Sequence, residues 1–176
     1  MGGKAVIRSS NMLMAVICVL TCGIADGLPA GQAGKLDHTF GEHGAILEVI
    51  NNAYDNVQGV AIYPASSVAH AGKIVVVGDT NGPSATSYET AIVVYNPDGT
   101  LYTGFNGTGK KTIDLGGSTD SCKAVAISPD DKIVVLVDHH SGGTSYLCLI
   151  RLNLDGTLDA GFSGDGIYQE AGVGYF

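Results

Sequence analysis

Short apolar runs alternate with turn-forming residues along most of the 176-residue chain. Val and Ile dominate the runs, and Gly, Pro, Asn and Asp lie between them, which is typical of β-strands joined by tight turns. Eight strands are predicted in this way: AILEVI (45–50), VQGVAIY (57–63), KIVVVGD (73–79), TAIVVYN (90–96), KTIDL (111–115), CKAVAIS (122–128), KIVVLVD (132–138) and YLCLIRLN (146–153).

Some of these runs are apolar on both faces of the predicted strand, and the clearest is IVVV at 74–77. Successive side chains of a strand point to opposite faces of its sheet, so such a strand needs cover on both sides. The pattern therefore predicts β-sheets stacked between neighbouring sheets.

One glycine-rich phrase occurs three times: GKLDHTFGEHG at 34–44, GTLYTGFNGTG at 99–109 and GTLDAGFSGDG at 156–166. We call it the glycine phrase. The first two copies begin 65 residues apart, and the last two begin 57 apart. A Val-Ala-Ile-x-Pro segment follows each of the first two copies, and its proline lies 30 residues after the first glycine in both. Most of the length difference falls within the predicted turn ASSVAHAG (65–72), so the units share one strand plan.

Four-stranded units that repeat every 40–60 residues or so predict the blades of a β-propeller. The motifs G-x-L-D-x-x-F-G-x-x-G, A-V-A-I-x-P-D-x-K-I-V-V and N-x-D-G-T-L-D resemble the bacterial delta-60 repeat, most closely at 34–44, 124–135 and 156–166. The resemblance covers nearly everything after residue 25. It implies a propeller-like array, usually outside the cytoplasm, and no defined activity.

The chain departs from the family pattern in its turns. Asp131 stands where the repeat usually has glycine, and Tyr102 where it has aspartate. Asn106 and Ser163 follow the phenylalanine of the glycine phrase in place of glycine. We interpret these as changes in turn detail that leave the fold prediction intact.

The predicted fold is all-β: a partial β-propeller of about two four-stranded antiparallel blades plus the start of a third. The repeat region is 26–176, with units at 34–98 and 99–155 and a partial unit at 156–176. The glycine phrase is predicted to carry the chain from the last strand of one blade to the first strand of the next. Leu158 and Phe162 are expected to make apolar contacts between those blades.

Two blades are fewer than the four to eight with which propellers usually close. Three arrangements would resolve this: a fragment of a longer array, a ring completed by copies of the chain, or two sheets packed as a sandwich. The fragment is favoured, because about three repeats are usually needed for a stable array.

The first 25 residues have the character of a secretory signal peptide. Lys4 and Arg8 precede the apolar run MLMAVICVL (12–20), and the small residues Gly23 and Ala25 precede Asp26. We expect cleavage after Ala25 and a periplasmic, secreted or cell-surface location, with no stable membrane span in the mature chain. A buried apolar strand, an uncleaved anchor and a lipoprotein modified at Cys22 are the alternatives. The last is weakened by Thr21, which is larger than the residue usual before a lipidated cysteine.

A formal charge of −8 without a basic stripe argues against nucleic-acid binding. Cys122 and Cys148 are the cysteines beyond the predicted signal peptide. The predicted layout places them on strands separated by a third strand, about twice 4.8 Å apart, which exceeds the roughly 7 Å Cα separation that a disulfide allows. We therefore expect two free or buried thiols rather than a disulfide, packed among apolar neighbours.

Two groups of residues are candidate metal ligands. Asp138, His139 and His140 form one cluster, but adjacent strand residues point to opposite faces. Aspartates in the glycine-rich turns suggest Ca²⁺, yet Tyr102 and Thr108 replace two of them in the second phrase. Asx-turn and type I′ roles explain these aspartates without metal. They are Asp37, Asp98, Asp155, Asp159 and Asp165.

Other motifs also favour structural roles. GFNGTGKKT (104–112) has Lys111 where a phosphate-binding loop needs Ser or Thr, and a strand is predicted to follow it. Asn106 fits a glycosylation acceptor only in a host that glycosylates exported proteins. Scattered tyrosines suit cross-strand packing better than a carbohydrate surface. These are Tyr63, Tyr95, Tyr146 and Tyr168.

The sequence thus predicts no catalytic, cofactor-binding or metal-binding residue and no cofactor. The function predicted is that of a non-catalytic, exported repeat module with a structural or interaction role. Its expected partners are further propeller blades, another protein or copies of itself. The alternative is a ligand-binding or enzymatic propeller whose site requires additional blades.

Overall fold

The computed structural model describes residues 16–17, 35–50, 54–82 and 87–172, and within these ranges the regular structure is entirely β. No helix in the described ranges is long and apolar enough to cross a membrane. Ala25, Cys18 and Cys22, on which the export predictions depend, lie outside these ranges. The strands are β1 (Val16–Ile17), β2 (Ile46–Leu47), β3 (Asp55–Ile62), β4 (Ile74–Asn81), β5 (Tyr88–Tyr95), β6 (Lys110–Ile113), β7 (Thr119–Ile127), β8 (Ile133–Ser141), β9 (Thr144–Leu152) and β10 (Ile167–Ala171).

Eight strands form one open, mixed sheet with two antiparallel halves. The first half, sheet I, has the order β3-β4-β5-β6, and the second, sheet II, has the order β7-β8-β9-β10. A single parallel pairing of Tyr88 with Thr119 connects the halves. The prediction of an all-β partial propeller with two four-stranded antiparallel blades is confirmed.

The glycine phrase lies inside each half, and the prediction that it joins one blade to the next is wrong. β6 follows the second phrase and pairs antiparallel with β5, which precedes that phrase. β10 pairs in the same way with β9. Each sheet therefore takes its fourth strand from beyond the phrase, so that sheet and sequence repeat are offset by one strand.

Backbone hydrogen bonds show why the phrase turns back. Tyr102 N–H donates to Val94 O at 2.8 Å, and Val94 N–H donates to Gly109 O at 2.9 Å. The start and the end of the phrase thus bind the same residue of β5. Asp159 N–H and Gly166 O bind Arg151 of β9 in the same way, at 2.9 and 2.8 Å.

The predicted strand AILEVI is the one that differs most from expectation. Only Ile46 and Leu47 form a strand, β2, and it pairs with β1 rather than with sheet I. β2 follows the first phrase as β6 follows the second. Residues 35–50 are therefore equivalent to the phrase and fourth strand of a sheet that would precede sheet I.

Each sheet has a front face and a back face. The back face of sheet I carries Val75, Val77, Ile92 and Val94, which pack against the front face of sheet II in one buried cluster. The front face of sheet II contributes Ile133, Val135, Val137, Cys148, Ile150 and Leu152 to that cluster. Phe105, from the second phrase, is also fully buried there, so the phrase does contribute to contacts between the sheets.

A second, smaller cluster covers part of the front face of sheet I. It consists of Phe40, from the first phrase, with Ile74, Val76, Val93 and Tyr95. The apolar contacts that were predicted for Leu158 and Phe162 are thus made in the first two phrases, by Phe40 and Phe105. In the third phrase Leu158 is 37% exposed, and Phe162 lies beneath the Arg151 guanidinium, 4.9 Å from it.

Candidate functional site

The most specific polar contact between the sheets is made by Asp79 of β4. This residue is 7% exposed, and its Oδ1 accepts a hydrogen bond from Cys122 N–H in β7 at 2.6 Å. Oδ2 accepts from Gln58 Nε2 at 3.0 Å and lies 3.5 Å from Ser121 Oγ. A buried carboxylate is stable when donors satisfy it in this way. We call the Asp79–Cys122 pair the carboxylate–bulge contact.

The donor belongs to a β-bulge in β7, and sheet I has an equivalent bulge in β3. The register of β7 with β8 shifts between Cys122 and Ala124, and that of β3 with β4 shifts between Val57 and Gly59. A bulge leaves one residue outside the regular ladder, so its backbone groups can bind elsewhere. The residue left out is Lys123 in β7 and Gln58 in β3. Cys122, immediately before Lys123, donates its N–H to Asp79, and Val57 occupies the equivalent position in sheet I.

A pair of equivalent aspartates holds the start of each second strand. Asp55 accepts hydrogen bonds from Ile50 N–H at 2.9 Å and Thr80 Oγ1 at 2.6 Å. Asp120 accepts from Leu115 N–H at 2.6 Å, and its other oxygen lies 2.5 Å from His139 Nδ1. This role was not predicted from the sequence, although both aspartates lie seven residues before the last Ile of a Val-Ala-Ile segment.

The predicted turn insertion makes a further contact between the sheets. Ser67, within 65–72, donates from Oγ to Asp131 Oδ2 at 2.8 Å, and Tyr63 OH donates to Asp131 O at 3.1 Å. Asp131 has φ +61°, the left-handed region that favours glycine. The first unit has Gly72 at the equivalent position, whereas Asp131 supplies a polar side chain that sheet I binds.

The back face of sheet II has no covering sheet within the described residues. Four apolar side chains on it are half-buried, whereas their equivalents on sheet I are at most 1% exposed. The first group is Val134, Leu136, Leu147 and Leu149, and the second is Val75, Val77, Thr90 and Ile92. Asp138 lies on the same back face, at the position that Asp79 has on sheet I. Ala124, Ala126 and Tyr168 are exposed around the apolar residues.

The front face of sheet I is uncovered along β3. Val57, Val60 and Ile62 are 37%, 53% and 52% exposed. Their equivalents in β7 are covered by sheet I; Cys122, for example, is fully buried. The described chain thus presents two apolar surfaces, one at each end of the stack, whose equivalents are packed together in its interior.

The histidine cluster divides between the two faces of β8. His139 is 4% exposed, pairs with Asp120 on the front side, and lies 5.4 Å from the Tyr146 ring. His140 Nε2 lies 3.2 Å from Asp138 Oδ1 on the back side. The two imidazoles do not converge. Among the described residues no three His, Cys, Asp or Glu side chains are grouped as a metal site would need.

The turn aspartates make the predicted Asx contacts. Asp37, Asp98 and Asp155 each accept a hydrogen bond from the backbone N–H two residues later, at 2.9 Å in all three. Asp159 and Asp165 accept from Gly161 N–H at 3.1 Å and Ile167 N–H at 2.9 Å. The turns are not of type I′, because Gly99 and Gly156 have positive φ while the aspartates before them do not.

These contacts lower the pKa of exposed carboxyls. The Thr39 hydroxyl holds the pKa of Asp37 below its ordinary value, and the Thr157 hydroxyl does the same for Asp155. Backbone donation from Thr100 has this effect on Asp98. Each carboxylate is thus engaged by its own turn.

Both cysteines are free and buried, as predicted. Cys122 of β7 and Cys148 of β9 both pair with Val137 of β8, the strand that lies between them. Burial raises the pKa of the Cys122 thiol to about 12 and that of Cys148 to about 11. A nucleophilic cysteine needs the opposite shift, so both are packing residues.

GFNGTG (104–109) is followed by strand β6, which agrees with the predicted strand at this place. Lys110 Nζ pairs with Glu48 and donates to Val49 O at 3.3 Å. Tyr63 and Tyr95 are 1% exposed, and burial raises the pKa of both, which agrees with a packing role rather than a carbohydrate surface. Tyr168 is 40% exposed.

A cavity of about 40 Å³ lies between Glu48, Tyr95 and Gly78. Gly78 and Ala91 stand where sheet II has Val137 and Cys148, and the missing side-chain volume leaves this space. Glycine is required at 78, because an added Cβ would lie 1.8 Å from Asn56 O. Small-molecule sites usually enclose about 300–1,000 Å³, so this cavity is too small to be one.

Comparison with known proteins agrees with the fold. Residues 72–105 and 128–162 match the family model described as a domain of unknown function (DUF5122), a β-propeller. The two matched segments are equivalent parts of sheets I and II, which supports a propeller repeat family. No curated protein and no solved structure matches the chain.

Proposed function

We propose that this protein is an exported, non-catalytic β-propeller module of the delta-60 repeat type, and that it acts structurally or by binding protein through its uncovered sheet faces. The observation that carries the proposal is the back face of sheet II. Half-buried side chains such as Leu136 and Leu149 lie there in positions that are fully buried on sheet I. Contiguous exposed apolar surface of this kind marks an interaction site.

The polar residues support the same proposal. Asp55, Asp79 and Asp120 hold strand ends or join the two sheets, and the turn aspartates bind backbone N–H groups. The two thiols are free and buried, and burial raises the pKa of both. The contacts of these aspartates and cysteines are thus of the kind that hold a fold together, which supports a structural role for them.

Association of the purified chain tests the interaction role. We expect light scattering to show a mass that rises with concentration, and the Leu149→Arg variant to remain monomeric with unchanged far-UV circular dichroism. The matched control is Val68→Arg, which changes another exposed apolar residue, in the turn insertion 65–72 and away from the back face. A chain that stays monomeric and gains no solubility from Leu149→Arg would contradict the proposal.

Export requires a separate test, because the cleavage site lies outside the described residues. Mass spectrometry of chain recovered from the periplasm or medium should show an N-terminus at Asp26. Full-length chain confined to the cytoplasm would remove export from the proposal and leave the interaction role standing.

A further inference from the structure

We propose that the back face of sheet II binds the uncovered front face of sheet I in a second copy of the chain. In this pairing Asp138 accepts a hydrogen bond from Val57 N–H of the second copy. The inference rests on the proposed interaction function and specifies its partner, its geometry and its key polar contact.

The interior of the chain shows the geometry in full. The back face of sheet I packs on the front face of sheet II, and Asp79 Oδ1 accepts from the bulge donor Cys122 N–H at 2.6 Å. Gly59, on the back of β3, lies so close to β7 that an added Cβ would be 3.4 Å from Val125 Cγ1. The proposed interface repeats this arrangement between two chains.

Asp138 has the position of this acceptor, and although His140 Nε2 lies 3.2 Å from its Oδ1, the carboxylate keeps further lone pairs for a backbone donor. It stands six residues after Lys132, as Asp79 stands six after Lys73. Lys123 Nζ lies 3.8 Å from Asp138 Oδ2, in the place from which Gln58 donates to Asp79. The carboxylate is only 9% exposed and lies beside half-buried apolar side chains, where a backbone donor from a covering sheet would meet little competition from water.

The matching donor surface is present on the same chain. β3 carries the same bulge as β7, so that Val57 N–H is placed as Cys122 N–H is. Val60 and Ile62, the equivalents of Val125 and Ile127, are 53% and 52% exposed. The two uncovered surfaces therefore complement each other, and a second copy supplies the one that each chain needs.

The pairing is head-to-tail, because the two surfaces differ. Such a contact leaves a free surface at each end of a dimer, so it adds further copies until a ring closes. Arg151 stands where sheet I has Val94, but Asp159 pairs with it at 2.7 Å, so the guanidinium stays at the edge beside its own phrase.

Residues 35–50 of the second copy cover β4 and β5 on the same front face, with Phe40 in the position that Phe105 has in the interior. The third phrase and β10 of the first copy are the equivalent segment. On docking, residues 156–171 of the first copy therefore replace residues 35–50 of the second copy on the front face of its sheet I. We expect association to depend on concentration. It should strengthen about tenfold in the Phe40→Ala variant, because residues 35–50 of that variant pack less tightly on the front face of their own sheet I.

Cysteine cross-linking tests the geometry. Ala124 and Val60 are the equivalents of Gly59 and Val125, so Ala124→Cys in one chain should lie against Val60→Cys in another. Both single variants carry Cys18→Ser and Cys22→Ser. Under mild oxidation we expect a disulfide dimer when the two single variants are mixed and none from either alone. A dimer from Ala124→Cys alone would show symmetric back-to-back pairing and overturn the proposal.

Asp138→Ala, added to the Ala124→Cys chain, tests the polar contact. We expect the cross-linking rate to fall about tenfold, because the backbone donor is left without its charged acceptor. Asp130→Ala is the matched control, since Asp130 is an exposed turn acid of the same hairpin and its loss changes the net charge equally. An equal rate in Asp138→Ala and Asp130→Ala would overturn the role of Asp138.

The outcomes separate this inference from the function on which it rests. If the chain associates and Leu149→Arg abolishes association, but the mixed variants form no cross-link, the interaction function stands and the head-to-tail pairing is wrong. If the chain does not associate at any concentration and no cross-link forms, both are wrong.

Discussion

Ser67 Oγ donates a 2.8 Å hydrogen bond to Asp131 Oδ2, which joins the turn insertion of sheet I to the β7–β8 turn of sheet II. The two residues belong to parts in which the units differ: Ser67 lies in extra residues of the first unit, and Asp131 stands where that unit has Gly72. Asp131 keeps the backbone conformation that glycine would have, at φ +61°. The contact with Ser67 offsets part of the cost of that conformation.

A double-mutant cycle tests this coupling. Ser67→Ala should lower the free energy of unfolding by about 1 kcal/mol when Asp131 is present. In the Asp131→Gly background the same change should have almost no effect, since the acceptor is absent. Equal effects of Ser67→Ala in both backgrounds, measured by urea denaturation, would show that the residues act independently.

Ser163 also has a left-handed backbone conformation, but its side chain makes no hydrogen bond like that between Asp131 and Ser67. Its φ is +54°, and it stands where the first phrase has Gly41, which also has φ +54°. Ser163→Gly should raise the free energy of unfolding by about 0.5–1 kcal/mol, because the left-handed conformation is unfavourable for a residue with a Cβ.

Asn106 is the matched control for Ser163. It has φ +51° in the second phrase, but its Nδ2 donates to Lys110 O at 2.8 Å. Asn106→Gly should therefore be nearly neutral, since relief of strain is offset by the lost hydrogen bond. A larger gain from Asn106→Gly than from Ser163→Gly would contradict this account of the turns.

Much of this fold was predictable because the apolar runs repeat in a fixed order. IVVV (74–77) is apolar on both faces and is covered on both faces in the structure. The offset between sheet and repeat was not predictable, since a phrase before a strand reads the same whether that strand joins the preceding or the following sheet. Backbone donation from Tyr102 to Val94 decides it.

The candidate site was predicted less well, for a physical reason. Asp79 and Asp138 are equivalent in sequence, but only a three-dimensional stack shows that one is satisfied by a backbone donor of the next sheet. The aspartates that sequence analysis emphasised are turn residues. The acids that join sheets or hold strands, Asp55, Asp79 and Asp120, lie within strands and resemble ordinary polar strand ends.

Removal of the Asp79 carboxylate should be more costly than removal of an exposed turn acid. Asp79→Ala leaves Cys122 N–H buried without an acceptor, so the free energy of unfolding should fall by about 2–3 kcal/mol. Asp79→Asn keeps an acceptor oxygen and should cost less. Asp130→Ala serves as the control of equal charge change, and an equal loss for Asp79→Ala and Asp130→Ala in urea denaturation would refute the carboxylate–bulge contact.

The buried thiols predict a loss of stability at alkaline pH. Burial raises the pKa of Cys122 to about 12 and of Cys148 to about 11, above the ordinary value of 9. The folded state therefore retains these protons longer than the unfolded state does. Stability from this source is complete below pH 9, declines above it, and is lost once the pH has risen through 11 and 12.

Urea denaturation at pH 8 and pH 10.5 measures this effect. The free energy of unfolding should fall between the two values, and Cys122→Ala should reduce the size of that fall. At pH 8 a thiol reagent should label the two cysteines only in denaturant. Rapid labelling of the native chain at Cys122 or Cys148 would contradict their burial.

Solvent accessibility of two equivalent methyl-bearing side chains tests the central claim most directly. Ile92 is covered by sheet II within the chain, whereas Leu149 occupies the same position on the open back face. With a soluble paramagnetic probe in NMR, Ile92 methyls should be protected at every protein concentration. Leu149 methyls should relax strongly in dilute solution and become protected as the chain associates. Leu149 methyls that stay equally accessible while the chain associates would contradict the account.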